Sequence, residues 1–289
     1  MKKILITGCS TGFGHQAAKY LAEKGHHVYA TMRNIKGKNS QSAEDLKYFA
    51  ESKKLKMDVL EMDVTSDKSV ADCVAQIPVV DVLINNAGVG YGGPIEAFSS
   101  EEILAQLDLN IVGTLRVAKA VLPGMRHRKS GLIIQVSSTA GRAAFPGFGV
   151  YHASKWGLEG VSEALRYELA PAGIDVVIVE PGPFSTNFFT SIVQPKNAEL
   201  IAAYEQVSGF LDGFGQQVQA MYDDENAPTD SIIVVKIFED LINTPAGKRP
   251  LRTIAGLDFG FQALNDATEP IRKAALEGMG IAHWDGPSA

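Results

Sequence analysis

The stretch Lys3-Ile4-Leu5-Ile6-Thr7-Gly8-Cys9-Ser10-Thr11-Gly12-Phe13-Gly14, followed by His15-Gln16-Ala17-Ala18-Lys19-Tyr20-Leu21, decides how the rest of the chain is read. Its first five residues form a short, mostly apolar run closed by Gly8, the pattern of a buried strand. Beyond Gly14, Ala17, Ala18 and Leu21 recur at helical spacing until Gly25. Strand, glycine turn and helix N-terminus in that order make a loop suited to a diphosphate. Gly8 makes the tight turn, Gly12 lets the backbone come close, and Gly14 allows close helix packing. The free N–H groups at the helix start face the anion, with Ser10, Thr11 and Phe13 completing the loop. The spacing is Gly-x-x-x-Gly-x-Gly, and an ordinary glycine-rich turn between strand and helix also fits it.

The alternation continues outward from this unit. Strands are expected at residues 27–32, 57–63, 79–84, 131–137 and 175–180. Helices are expected at 14–24, 43–52, 67–77, 101–122 and 151–170. Strands apolar on both faces and separated by helices imply a buried parallel sheet. Right-handed crossovers then make it doubly wound, an α/β fold. After Pro181 aromatic residues appear among Gly, Gln and Asn, with helical stretches at 198–208, 215–222 and 229–243 and a last strand at 249–255. No linker separates the two parts. The expectation is one domain: a core over 1–182, a helical substrate lid over 183–248, and a last strand with a C-terminal tail over 249–289.

Composition narrows the function classes. The 289 residues carry 27 Lys+Arg against 33 Asp+Glu, a formal net charge of -6, and 45% are hydrophobic. That fraction excludes a disordered chain, and the negative balance argues against a nucleic-acid binder. The cluster Arg126-His127-Arg128-Lys129 reads as the cationic end of a helix. Two cysteines, Cys9 and Cys73, make neither a disulfide framework nor a zinc site, and no metal is expected. The apolar run before Cys9 is too short for a secretory leader, and no run approaches a membrane span. The expected location is cytoplasmic.

Two further constellations carry chemistry. Asn85-Asn86-Ala87-Gly88 ends a strand, where Asn can cross-link backbone and Ala and Gly leave room for a flat ring; a plain turn fits as well. Tyr151-His152-Ala153-Ser154-Lys155 opens a helix, so Tyr151 and Lys155, four apart, share a face. An ammonium beside a phenol favours the phenolate, which suits proton exchange at neutral pH. Alone, such a pair is also an ordinary solvated helix face.

In chain order, Thr7-Gly-x-x-x-Gly12-x-Gly14, Asn85-Asn-Ala-Gly88, Asn110 within Asn-x-x-Gly, Ser138, Tyr151-x-x-x-Lys155, Pro181-Gly182 and Thr186 resemble the compact subgroup of the short-chain dehydrogenase/reductase family over roughly residues 1–190. The resemblance implies a Rossmann-like fold with Tyr151 as proton donor or acceptor. It implies that Lys155 lowers the tyrosine's pKa and binds the nicotinamide ribose, and that Ser138 hydrogen-bonds the substrate oxygen. Asn110 would bend its helix and hold a water that relays protons. Thr186 would bind the carboxamide beside Pro181-Gly182, with Asp63 and Val64 at the adenine and Asn86, Ala87 and Gly88 along the cofactor.

The second strand ends Ala30-Thr31-Met32-Arg33-Asn34 without an acid. Arg33 suits a 2′-phosphate, so the expected cofactor is NADP(H). Residues 143–149 and Phe184, Phe188 and Phe189 suggest an apolar site for a hydrophobic ketone or secondary alcohol. Residues 28–33 and 181–184 resemble steroid- and retinoid-active members. A 3-oxoacyl reductase of fatty-acid type is the alternative enzyme, and a catalytically inactive NADP-sensing protein the alternative of another class. Members of the family commonly dimerise through the helices at 101–122 and 151–170, so the resemblance implies a homo-oligomer, a dimer or tetramer. Trp156 is expected in the core or at such an interface.

Overall fold

Seven short strands, most of them buried along their length, form one parallel sheet: β1 (Lys3–Ile6), β2 (His27–Met32), β3 (Met57–Glu61), β4 (Val82–Asn85), β5 (Gly131–Val136), β6 (Ile174–Pro181) and β7 (Arg252–Ala255). The structure, a computed structural model, describes residues 1–288. Strand order is β3-β2-β1-β4-β5-β6-β7, with Ile4 and Leu5 in register with Val28 and Tyr29 on one side and with Val82 and Leu83 on the other. Such a sheet needs helices on both faces.

On one face Ile4, Ile6, Val28, Ile84, Ile134 and Val177 pack against Ala17, Ala18 and Leu21 of α1 (Gly12–Glu23), Leu46 of α2 (Ser40–Lys53) and a helix at Ile232–Asn243. On the other, Leu5, Leu83, Ile133 and Val176 meet α3 (Asp67–Val74), α5 (Gly113–Arg128) and α6 (Gly149–Leu169). Each fully buried Val, Leu or Ile contributes about 1.5–3 kcal/mol. Chain order reverses between β1 and β4, which opens a crevice at the C-terminal ends of those strands.

Four expectations need correction. The helix expected at 101–122 is α4 (Ser100–Leu107), a π-helical turn (Asp108–Val112) and α5, which runs on to Arg128 with Pro123 inside. Pro123 lies on the exposed side, so its missing N–H and its ring disturb only the solvated edge. The stretches 198–208 and 215–222 are instead α7 (Ala198–Ala202) and an unbroken α8 (Glu205–Asp223), which tolerates Gly209, Gly213 and Gly215 because Leu211, Phe214 and Val218 hold it down. The lid does not extend to 248. The helix Ile232–Asn243, α9, buries Val234, Val235, Phe238, Leu241 and Ile242 in the core beside α1. The expected C-terminal tail contains α10 (Phe261–Gly278).

Trp156 is half exposed and not in the core. The basic cluster does end a helix, α5, and Arg128 donates to the Val80 carbonyl at 2.6 Å. Among the described residues no helix is long and apolar enough to cross a membrane, and no group of three or more His, Cys, Asp or Glu could hold a metal ion.

Candidate active site

The crevice is built on a clasp between the loops after β1 and β4. The Thr7 hydroxyl accepts from the backbone N–H of Asn86 and of Ala87, both at 3.0 Å. In return the Asn86 amide donates to the carbonyls of Thr7 and Gly8 at 2.9 and 3.1 Å. This clasp is what demands the glycines. A Cβ at Gly8 would sit 2.8 Å from Ala87 Cα, and one at Gly14 would sit 2.5 Å from both Asn86 Nδ2 and the Gly8 carbonyl. Gly8 and Gly12 also have φ of +73° and +58°, open to glycine at little cost. Thr7, quoted in the motif but not counted among the candidate binding residues, is thus central to the loop.

The N-terminus of α1 has no side-chain cap and no acid in its first turn. Its free N–H groups open on the crevice beside Ser10 and Thr11, which fits a diphosphate. Phe13 offers only backbone there, since its ring packs edge-on against Phe184 at 5.3 Å. Thr186 lies over the loop, with Cβ 3.7 Å from where a Cβ at Gly12 would stand, and the Gly182 N–H donates to the Ala255 carbonyl at 3.0 Å.

At the end of the crevice where an adenine is expected, the Asp63 carboxylate accepts from the Thr65 amide and hydroxyl at 3.0 and 2.7 Å. Partial burial pushes this carboxyl upward, but the Thr65 bonds, with Arg33 and Arg116 nearby, hold it below the ordinary carboxylate range. The Val64 carbonyl accepts from Arg116. Arg33 is exposed, and among the described residues it has no salt-bridge partner, so its guanidinium is open to an anion.

The proton-handling candidates converge where β4 and β5 end. Lys155 is 7% exposed, and its Nζ donates to the Val136 carbonyl at 2.9 Å. Tyr151 lies one turn earlier on α6, its ring centroid 5.8 Å from Nζ. Asn110 sits in the π turn, where its amide donates to the Val89 carbonyl at 3.0 Å and to the Ser154 hydroxyl at 2.9 Å. Its Oδ1 accepts from the Val89 N–H at 3.2 Å. A Cβ at Gly88 would lie 3.3 Å from that oxygen and 3.8 Å from Lys155 Nζ, so Gly88 keeps the space between them open. Ser138 Oγ donates to the Pro181 carbonyl at 3.3 Å and accepts from the Ala140 N–H. His152 is no part of this cluster. It accepts from the Phe145 N–H and faces the Ala140 carbonyl, pinning the loop between them.

An aromatic lid covers the site. The Phe188 ring stands 5.4 Å from that of Tyr151 and fills the space left by Gly90. Phe189, Phe210, Phe214 and Phe148 continue the cluster with centroids 5.4–6.1 Å apart. Phe184, expected in the lid, is a core residue at 3% exposed. Under this cover burial dominates the electrostatics. It pushes the Tyr151 phenol up to about 12, against a smaller opposing pull from Ser138, and pushes Lys155 down to about 8. The expected lowering of the tyrosine by the lysine is not found in the closed chamber: burial raises the phenol, and the opposing pull is that of Ser138.

Residues 2–197 match the family model described as short chain dehydrogenase. Among curated proteins, a 3-ketodihydrosphingosine reductase of Bacteroides thetaiotaomicron is 43% identical over 189 residues, 64% of this chain and 65% of the relative. Retinol dehydrogenase 8 of Homo sapiens is 41% identical over 191 residues, 65% of this chain and 60% of the relative. The match therefore spans less than two-thirds of each relative's length. The crystal structure of a short-chain dehydrogenase from Streptomyces avermitilis superposes with a TM-score of 0.76 at 31% identity, covering 96% of this chain and 97% of that one.

Proposed function

Since this chain belongs to the short-chain dehydrogenase family, we propose that it is an NADP(H)-dependent oxidoreductase acting on a hydrophobic ketone or the corresponding secondary alcohol. The observation that carries this reading is the convergence of Tyr151, Lys155, Ser138 and Asn110 beside a glycine loop that fits a diphosphate. When bound, the nicotinamide supplies or accepts the hydride.

The chain's own residues do the rest. Ser138 and Tyr151 donate hydrogen bonds to the substrate oxygen as negative charge develops on it, and Tyr151 gives up its proton there. Lys155 stabilises the phenolate left behind and meets the ribose. Asn110 Oδ1 retains one free lone pair, placed to hold a water between Gly88 and Lys155 through which the proton is replaced. Asn86, Ala87, Gly88, Pro181, Gly182 and Thr186 would line the cofactor, with Val64 and Asp63 at its adenine.

Preference for NADP(H) rests on Arg33, a free guanidinium after β2 where a 2′-phosphate would lie. In the Arg33→Ala variant kcat/KM with NADPH is expected to fall roughly 10- to 100-fold, the loss of one charge-assisted contact of about 1.5–3 kcal/mol. The value with NADH should change little. Steady-state assays with both cofactors read this directly, and a wild type that prefers NADH overturns the assignment.

The aromatic cover favours a large apolar substrate. Relatives named for a sphingoid ketone and for retinol support that choice over a small polar one. A panel of long-chain, cyclic and small polar ketones, followed by NADPH consumption, tests it. Turnover confined to small polar ketones would contradict it.

A further inference from the structure

We propose that Glu159, braced by Arg252, is a positioning residue that keeps the Lys155 ammonium charged inside the closed site. The inference rests on the role given to Lys155 above and adds a residue to it.

Glu159 follows Lys155 by one turn of α6, so the two side chains lie on one face with Cβ atoms about 6 Å apart. Both are buried, at 4% and 7% exposed. Lys155 has one protein hydrogen-bond acceptor, the uncharged Val136 carbonyl. An ammonium in such a place loses its proton unless a negative charge stands near. Glu159 is that charge: burial is the larger influence on Lys155, and the opposing one comes from Glu159.

The position of Glu159 is prepared by its surroundings. Arg252 Nε donates to Glu159 Oε2 at 2.9 Å, and Arg252 Nη2 reaches Glu163 at 2.6 Å. Gly141 is needed on the other side, because a Cβ there would stand 2.9 Å from Glu159 Cγ and 3.3 Å from the Lys155 carbonyl. Glu180, wholly buried on β6, accepts from Asn265 of α10 at 2.5 Å and lies 3.6 Å from Arg252 and 3.8 Å from Arg142.

The titratable groups packed here are the neutral Tyr151 phenol, Glu159 and Glu163 of α6, Arg142 of the loop after β5, Glu180 of β6 and Arg252 of β7. The π turn, α4 and α10 present the neutral Asn110, Gln106, Asn265 and Thr268. With Lys155, three cations face three carboxylates. Burial raises Glu159, while Arg252, the strongest opposing influence, favours its ionised form.

Arg252 and the Ser137 hydroxyl both favour the ionised carboxylate of Glu159, and low dielectric makes its field strong at the adjacent turn, where Lys155 stands. Arg252 and Asn265 both lie beyond the matched residues 2–197. The C-terminal part of the chain thereby bears on the charge state of the site.

The test uses ligand-free protein carrying 13C at lysine Cε and glutamate Cδ, titrated by NMR. Loss of the Lys155 signal in Lys155→Met assigns it. The wild-type midpoint of Lys155, about 8, is expected to fall by about one pH unit in Glu159→Gln and to recover in Glu159→Asp. Coupling is reciprocal, so the Glu159 midpoint should rise by a similar amount in Lys155→Met. That second reading serves if the glutamine variant does not fold. A purely structural Glu159 would lower thermal stability and leave both midpoints unmoved, which overturns the proposal. In turnover, the alkaline limb of Glu159→Gln should lie at lower pH than in wild type. Wild-type turnover with unshifted midpoints defeats this inference alone. Shifted midpoints in a wild type inert toward every ketone with either cofactor defeat the catalytic reading.

Discussion

Tyr151→Phe should lower kcat for ketone reduction about a thousandfold, within the ~10²–10⁴ range of general acid catalysis, and leave NADPH affinity within a few-fold. The substitution removes one oxygen and almost no volume. The phenyl ring can still pack at a tilt against Phe188, at 5.4 Å in the parent, and α6 is otherwise unchanged. What is lost is the proton that neutralises the new alkoxide and one of two donors to it, Ser138 being the other. KM should move little, because the missing bond strengthens mainly in the transition state. The pH profile gives a second reading. Burial holds the phenol protonated up to about 12, so the acid is present across the working range, whereas Lys155 loses its proton near 8. Reduction should therefore decline as pH rises through about 8, when the cation that stabilises the phenolate disappears. Stopped-flow single turnovers separate this chemistry from product release. A Tyr151→Phe enzyme with full turnover would remove tyrosine from the mechanism.

Much of the candidate site was legible because its residues fall in short patterns. The glycines at 8, 12 and 14, the asparagine pair at 85–86 and the Tyr151–Lys155 spacing can each be read from a few neighbouring letters, although the clasp that requires Gly8 and Gly14 joins loops 79 residues apart. The strand alternation likewise followed from continuous apolar runs. The parts that escaped depend on partners distant in sequence. The π turn at Asp108–Val112 has no propensity signature. It is held by Asn110 reaching Val89 and Ser154. The glycines of α8 argue for a break, and only the aromatic cluster beneath explains its continuity. In α10, Pro270 interrupts the pattern and Ile271 faces outward. Its attachment is largely polar, through Asn265 to Glu180 and Arg272 to Tyr167 and Asp285, with Leu276 buried beside them. Glu159 carried no signal because its partner, Arg252, is 93 residues away.

Asp175→Ala should destabilise the fold by about 3–5 kcal/mol, the loss typical when one partner of a buried ion pair is removed. For a chain of this size that is a fall in Tm of roughly 10 °C. Asp175 lies at the N-terminal end of β6, opposite the crevice, and is wholly buried. Its Oδ1 accepts from Arg166 at 3.0 Å, and its Oδ2 from Arg249 at 3.0 Å and the Gly247 N–H at 3.3 Å. Arg166 also holds Asp285, the Val176 carbonyl and the Arg249 carbonyl. Two guanidiniums thus converge on one carboxylate, and truncation leaves both with less compensation in a dry site. The pair itself need not add net stability, since desolvation offsets much of its Coulomb attraction. The cost is the orphaned charge. Converting Asp175 and Arg166 together to apolar residues should accordingly recover part of the loss, as surface pairs such as Lys68–Asp72 could not, because solvent already screens them. Calorimetry of the two single variants and the double variant gives the coupling. Since the network lies at the far end of the sheet from Tyr151, kcat below the unfolding range should stay within a few-fold of wild type. A loss of activity without a loss of Tm would mean that the two ends of β6 communicate.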